Sequence, residues 1–567
     1  MLNLLKGFTP YHSDDVEIYN RLRYWPGLTF GDILDRAADM FPDKTAFVDG
    51  QSSMTYSQAR EKADQLAVGL INMGVEPTDR VLVQLPNWNE FVLVFFVLQK
   101  IGAIDTLLID RYRAHEIKHL AALSSAVSWI LPETYKKTDY LPIIHEVLED
   151  SSQIKNVILV RGSGQGKYTE LEKLLAAFRP LSDDLKKLNS RRPDPMQVAH
   201  MGPTGGTTGL PKLVPRTHND LICASEFCAR AWEMDTHDIT LLAGPIGHDL
   251  TFTKGFLASI LTFGCCVFLD STDVDDICRT IEQEKVSTIV WVPTLARRLA
   301  DYEGLGNYDL ISLKKMHCGG GASLAGLIVD VQDKLGCRFF NGYGATEGQT
   351  AISRSNDDID IVKTTVGKPT CPYDTYKVVD RFECELPTNT PGELLIKGPG
   401  VFTGYYKNPE ENKKTFTRDG FFKTGDVARI DKEGRITLCG RIKEMINRGG
   451  ESISATQIEK LISEHPGVVM AAVVAMPDPQ MGEKACAYIQ TLSSADLDFE
   501  KIISFLKNRG SSVLHLPEKI APHKLPSELY ILKDFPKLSG GVKIKKFGQG
   551  GVAEPAAKKT NREFHRK

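Results

Sequence analysis

Residues 80–110 constrain the fold more than any other stretch. "RVLVQL" (80–85) is a β-rich apolar run closed by Pro86. "WNEFVLVFFVLQKI" (88–101) reads as a helix, and Asn87 with Glu90 three residues on has the form of a capping box at its start. Gly102 stops the helix, and "AIDTLLI" (103–109) reads as the next strand. Strands this apolar are buried on both faces, the mark of an α/β sheet covered by helices. The alternation recurs. "NVILV" (156–160), "STIVWV" (287–292) and "CRFFNGY" (337–343) read as strands, and "DICRTIEQEK" (276–285) as a helix. The longest nearly apolar run, Phe256 to Leu269, is too short to span a bilayer and contains Gly264, so it reads as a buried helix, turn and strand. The charged piece "DDLKKLNSRRPDP" (183–195) reads as a surface connection.

A chain of 567 residues is too long for one ordinary domain. Its net charge of −3 gives no global basic field for nucleic acid or an anionic membrane. The opening "MLNLLKGFTPYHSDD" lacks the apolar region of a secretory signal. Eleven cysteines with no CxxC and no Cys/His cluster argue against a disulfide framework or structural zinc. The expectation is a cytoplasmic protein. Past residue 440 the segments shorten, with "GRIKEMINRGGESIS" (440–454), a helix "ATQIEKLISEH" (455–465), strands "VVMAAVVAM" (468–476) and "KACAYIQTL" (484–492), a helix near 498–508 and a basic tail. This places a domain boundary near 440, dividing the chain into residues 1–440 and 441–567.

"MGPTGGTTGLPK" (201–212) follows the strand-like "QVAHM". Backbone N–H groups in a glycine-rich turn converge on an anion, and threonine hydroxyls add donors. Lys212 adds a positive charge. Gly209 is followed by Leu210, Pro211 and Lys212, so this is not a Walker A loop. On these residues alone it is either a phosphate site or a surface loop without a ligand.

Five ordered motifs decide between them. "TGGTTGLPK" (204–212), "GGGASL" (319–324), "NGYGATEG" (341–348), "DGFFKTGDVARI" (419–430) and "GRIKEMINRGGESISATQIE" (440–459) resemble those of the acyl-adenylate-forming enzymes, over about residues 27–547. Within that family the opening segment, "KLVPRTHND" (212–220) and "INRGGE" (446–451) are most similar to the stand-alone aryl-acid ligases. The resemblance implies an α/β fold: a large N-terminal domain of layered α/β sheets and a small mobile C-terminal α+β domain. It implies two half-reactions: ATP and a carboxylate give acyl-AMP and pyrophosphate, and a thiol then takes the acyl group and releases AMP.

The resemblance also implies site residues. Thr204, Gly205, Gly206, Thr207, Thr208, Gly209 and Lys212 would hold phosphates. Gly321 and Ala322 would line the adenine edge and Tyr343 its face. Thr346 would donate to the α-phosphate, and Glu347 would hold Mg²⁺. Asp426 and Arg441 would take the ribose, Lys443 would be the hinge, and Gly449 and Gly450 would line the thiol tunnel. Read singly, Thr346–Glu347 is also a solvated loop pair, and Arg441 a surface ion pair. The family ends in Pro-x-Thr-x-x-Gly-Lys with a catalytic lysine. Here the segment is "FPKLSGGVKIKKFGQG" (535–550), and one inserted residue puts Lys543 in that role, with Lys545 the next choice. Without the insertion Val542 stands there.

His248 in "GPIGHDLTF" matches the acid-pocket histidine, with Gly320 nearby, and can equally be a satisfied core residue. Where dihydroxybenzoate ligases carry an Asn, a Ser and a Val, this chain carries Asp249, Lys254 and Thr350. Asp249 and Lys254 are expected to pair and leave an apolar slot, because either charge alone is costly to bury. The implied substrate is a compact ring acid, benzoate-like or alicyclic. The expected acceptor is CoA, since no carrier domain is seen in the sequence. A ligase loading a separate carrier protein is the alternative. A luciferase-like oxygenase and a non-catalytic nucleotide binder are more remote. The partners expected are the acid, ATP and CoA, with no nucleic acid and no membrane span; homo-oligomerisation is left open.

Overall fold

The computed structural model describes residues 4–204, 210–448, 451–492, 496–508, 525–532, 535 and 558–559. Two large sheets dominate. One has the order Lys368–Pro369, Thr350–Ile352, Arg338–Gly344, Lys315–Cys318, Thr288–Trp291, Ile239–Leu242, Cys265–Phe268, Thr45–Val48, Ser53–Thr55. From Arg338–Gly344 to Thr45–Val48 every pairing is parallel. The other runs Lys212–Thr217, Val198–Thr204, Ile104–Leu107, Arg80–Val83, Ser128–Pro132, Asn156–Val160, Thr169–Glu170.

The helix Asn89–Ile101 joins these sheets. Every residue in it except Glu90 is buried. It shares one apolar cluster with Val81, Val83 and Leu107 of one sheet and Phe47, Leu242 and Phe268 of the other. Phe91, Phe95 and Phe96 meet Phe252 and Phe256 mostly edge to face, with centroids 5.5–6.3 Å apart. Truncating a phenylalanine here would cost about 3–5 kcal/mol. Gly102 ends the helix in the left-handed region, as expected.

The capping box expected at Asn87 does not form. Trp88 is the N-cap, without a side-chain bond. The Asn87 amide instead clips the sheets together. It donates to Leu242 O and Gly244 O, both at 2.8 Å, and accepts from Ile246 N at 2.9 Å. Buried carbonyls at a strand end offered more than a helix N–H could. The expected connection at 183–195 lies at the surface and includes the helix Ser182–Ser190. Acidic Asp183 and Asp184 in its first turn favour it.

Phe256 to Leu269 is a buried helix, turn and strand, as expected. The helix begins earlier, however, as a π-helix over Leu250–Leu257. A third, antiparallel sheet takes Thr375–Val379, Gly392–Lys397, Phe422–Ile430 and Ile436–Arg441. The next strand, Met445–Arg448, belongs to a last sheet built round the long pair Val468–Asp478 and Gly482–Thr491. Helices Ala455–Ser463 and Phe499–Asn508 cover it through Ile458, Ile462, Ile502 and Leu506. This is the small α+β domain, beside a large domain of layered α/β sheets.

Candidate active site

Tyr343, Asp426 and Arg441 come together from two sheets. The Tyr343 hydroxyl donates to Asp426 Oδ2 at 2.6 Å, and Arg441 Nε donates to Oδ1 at 2.7 Å. Asp426 and Arg441 are opposite each other in an antiparallel pair, so strand register fixes the contact. Burial, and then the Asp426 carboxylate, push the Tyr343 hydroxyl well above the usual tyrosine range. Burial would lower Arg441, but Asp426 outweighs it and holds the guanidinium protonated. Each carboxylate oxygen keeps a lone pair, so the group can still accept from a diol.

After Tyr343 the chain turns through Ala345–Gly348 into the antiparallel strand Thr350–Ile352. Gly348 sits at φ +106°, where a Cβ would lie 2.1 Å from Gly400 O, so only glycine fits. This turn presents Thr346 and Glu347. Arg216, fully buried, holds it from behind: Nη1 donates to Thr346 O at 3.1 Å and Nη2 to Gly400 O at 2.7 Å, while Nε pairs with Asp220. Glu347 is buried, and its Oε1 accepts from the Tyr405 hydroxyl at 2.8 Å. Lys212 lies over the Tyr405 ring, 4.5 Å from its centroid, and pairs with Glu411. The Lys212 hydrogen bond holds the Glu411 carboxyl below its usual range.

Among the described residues no cluster of three metal-ligating side chains occurs. One carboxylate, Glu347, with a neighbouring hydroxyl fits Mg²⁺, which binds through one or two carboxylates and the substrate phosphates and keeps waters.

The glycine loop joins two antiparallel strands, with Thr204 opposite Lys212 in register. Gly205, Gly206, Thr207, Thr208 and Gly209 lie outside the described residues, as do Gly449, Gly450, Val542, Lys543 and Lys545. Gly320, Gly321 and Ala322 form an exposed turn after Lys315–Cys318, with Gly320 at φ +76°. Lys443 is exposed on the single turn Ile442–Glu444 between the last two sheets.

Asp249 and Lys254 pair as expected, both largely buried. The π-helix explains the contact, because its i→i+5 repeat sets residues five apart one above the other. Burial would raise the Asp249 carboxyl, but Lys254 and a 2.7 Å bond from the Thr253 hydroxyl hold it below its usual range. Gly344 leaves room for Lys254, whose Cε would lie 2.8 Å from a Cβ there. His248 precedes the pair, its Nδ1 3.4 Å from Leu250 N, and Thr350 is buried on its strand.

A small cavity beside Thr346 is lined by Asp249, Phe252 and His200. His200 and Asp105 were not among the expected site residues, nor was Arg216. The sequence does carry a signal for the first two: "QVAHM" and "AIDTLLI" each place one ionisable residue inside an otherwise apolar strand. Arg216 carried none, since its role depends on a turn 130 residues away.

Comparison with known proteins places the chain in a family. Residues 34–406 match the AMP-binding enzyme family, and residues 457–541 match the AMP-binding enzyme C-terminal domain. The chain is 34% identical over 552 residues to a 2,3-dihydroxybenzoate-AMP ligase of Bacillus subtilis, covering 97% of this chain and 98% of that one. It is 32% identical to a 2-hydroxy-7-methoxy-5-methyl-1-naphthoate--CoA ligase of Streptomyces carzinostaticus, covering 91% and 93%. Among solved structures, the apo structure of Mycobacterium smegmatis MbtA matches with a TM-score of 0.72 at 28% identity, covering 96% and 98%. The chain therefore belongs to the AMP-binding enzyme family, as an ATP-dependent adenylate-forming ligase.

Proposed function

We propose that the chain is an AMP-forming carboxylic acid:CoA ligase acting on a compact ring carboxylate, aromatic or alicyclic, in the cytoplasm. The supporting observation is one rim that carries both the Tyr343–Asp426–Arg441 cluster and the Thr346–Glu347 turn, above a cavity bounded by Thr346 and Asp249.

In the first half-reaction an acid oxygen attacks the α-phosphorus and pyrophosphate leaves. Two anions must meet, so fixed positive charge and donors carry the rate. Asp426 and Arg441 take the ribose, Tyr343 covers the adenine, and Gly321 and Ala322 lie along its edge. Thr346 donates to the α-phosphate. Thr204, Lys212 and the loop residues Gly205, Gly206, Thr207, Thr208 and Gly209 hold the outer phosphates. Mg²⁺ held by Glu347 would offset phosphate charge. Lys543 is the proposed catalytic lysine. His248 with Gly320 and Thr350 borders the carboxylate. In the second half-reaction the thiol sulfur attacks the acyl carbon and AMP leaves. Lys443 is the proposed hinge between residues 1–440 and 441–567, with Gly449 and Gly450 along the thiol path.

A second reading, loading of a separate carrier protein, is favoured by the 34% identity to a 2,3-dihydroxybenzoate-AMP ligase. The test is pyrophosphate release with ATP and Mg²⁺ over benzoates, hydroxybenzoates, aminobenzoates, cyclohexane and cyclohexene carboxylates, and fatty acids, with and without CoA. Release with one ring acid and formation of its CoA thioester supports the proposal. Release without a thioester moves the acceptor to a carrier arm, and release with fatty acids alone overturns the ring-acid reading.

A further inference from the structure

The cavity beside Thr346 holds a buried relay that no step above uses. His200, 4% exposed, points its Nδ1 at Asp105 Oδ2, 2.6 Å away. The other carboxylate oxygen accepts from Gln99 Nε2 at 2.9 Å. Asp105 and Gln99 are wholly buried, in the strand Ile104–Leu107 and the helix Asn89–Ile101. The His200 ring packs on Phe252, with centroids 4.6 Å apart. Asp105 and Phe252 therefore fix its orientation, and Gln99 holds Asp105 in place.

The remaining nitrogen, Nε2, has no partner among the described residues. It lies on the cavity side, 3.1 Å from where a Cβ on Gly202 would stand, and that point is 2.7 Å from Thr346 Cγ2. Gly202 thus clears the space between imidazole and turn. In the tautomer that gives Nδ1–H to Asp105, Nε2 carries the ring's free lone pair. Asp249, the other ionisable side chain on this cavity, is held as a carboxylate and also accepts. Both Asp249 oxygens are taken by Thr253 and Lys254, which leaves Nε2 as the open acceptor on this space, where a donor would pair with it.

We propose that His200 is a specificity-determining residue, oriented by Asp105 and Gln99, that accepts a hydrogen bond from a hydroxyl or amino substituent on the ring of the acid. The inference rests on the ligase reading and narrows it to donor-bearing ring acids. The unsubstituted parent leaves Nε2 unpaired and is rejected.

The experiment is ATP–pyrophosphate exchange with matched acids, each hydroxy- or amino-substituted acid against its unsubstituted parent, in the full-length protein and in His200→Phe. The wild type is expected to favour the best donor-bearing acid at least about a hundredfold in kcat/KM. His200→Phe is expected to cut that ratio at least about tenfold. Asp105→Asn, a gentler change with the relay's shape preserved, is expected to cut it in the same direction and serves if the first variant does not fold. An unchanged ratio in the folded variants, or a wild type that prefers the unsubstituted parent, would overturn the inference while leaving the ligase reading standing. No exchange with any acid would remove the ligase reading, and the inference with it.

Discussion

The proposed nucleotide side and the proposed acid side of this site differ in how far their cations are exposed. On the nucleotide side the carboxylate is buried, with Asp426 9% exposed, but its cation reaches solvent. Arg441 is 45% exposed on its side chain, and its partner Asp426 can exchange hydrogen bonds with an arriving diol. On the acid side the charges are sunk. Lys254, Asp249, His200 and Asp105 have side-chain exposures of 5%, 12%, 6% and 0%. A rim can serve a ligand common to many enzymes. A buried set of fixed polar groups cannot adjust, so it discriminates.

That contrast breaks most sharply at Arg216, the buried link behind the rim. Arg216→Met would leave Asp220 without its ion partner and free the Thr346 turn. We expect a stability loss of about 3–5 kcal/mol in denaturant unfolding and about a hundredfold slower pyrophosphate release. A small effect on both would mean that the turn holds itself.

The acid side is sharpened by a double-mutant cycle on the π-helix pair. Lys254→Met alone strands a buried carboxylate and should cost about 3 kcal/mol, whereas Lys254→Met with Asp249→Leu should cost within about 1 kcal/mol of nothing. Additive losses would show that the pair is not coupled. On the rim, Asp426→Ala should lower kcat/KM for ATP about tenfold to a hundredfold, through KM, with the acid preference unchanged. A shifted acid preference would break the division between the two sides.

The smallest effect expected comes from Asp374, half-buried behind the rim, whose carboxyl is pushed by desolvation from 3.8 up to about 8 despite Arg216. A raised carboxyl favours the folded state only while protonated. Its contribution is full below about pH 4 and is lost as pH rises towards 8. Asp374→Asn removes that loss, so it should raise Tm by about 2–4 °C at pH 9 and by less at pH 5. An equal gain at both pH values would place the effect in packing rather than titration.

The same contrast decides what could be read from sequence. The rim was legible because it is made of contiguous motifs: "NGYGATEG" carries Tyr343, Thr346 and Glu347 on one strand and turn. The parallel sheets were legible from apolar runs such as Val81–Val83 and Val157–Val160. The acid side was only half legible. The Asp249–Lys254 pairing followed from the cost of burying either charge. The π-helix that brings them into contact has no local signature distinct from an α-helix, and His200–Asp105 is a pairing across two strands 95 residues apart. Asn87 shows the same limit: its local pattern asked for a cap, and a distant strand end took the amide instead.

The measurement that tests the ligase most directly is a single-turnover reaction of the protein with ATP labelled on the α-phosphate, Mg²⁺ and a ring acid, without any thiol. The expected result is one equivalent of bound acyl-adenylate per active site, which disappears as labelled AMP when CoA or a carrier arm is added. Labelled ADP, or AMP formed equally without the acid, would contradict it.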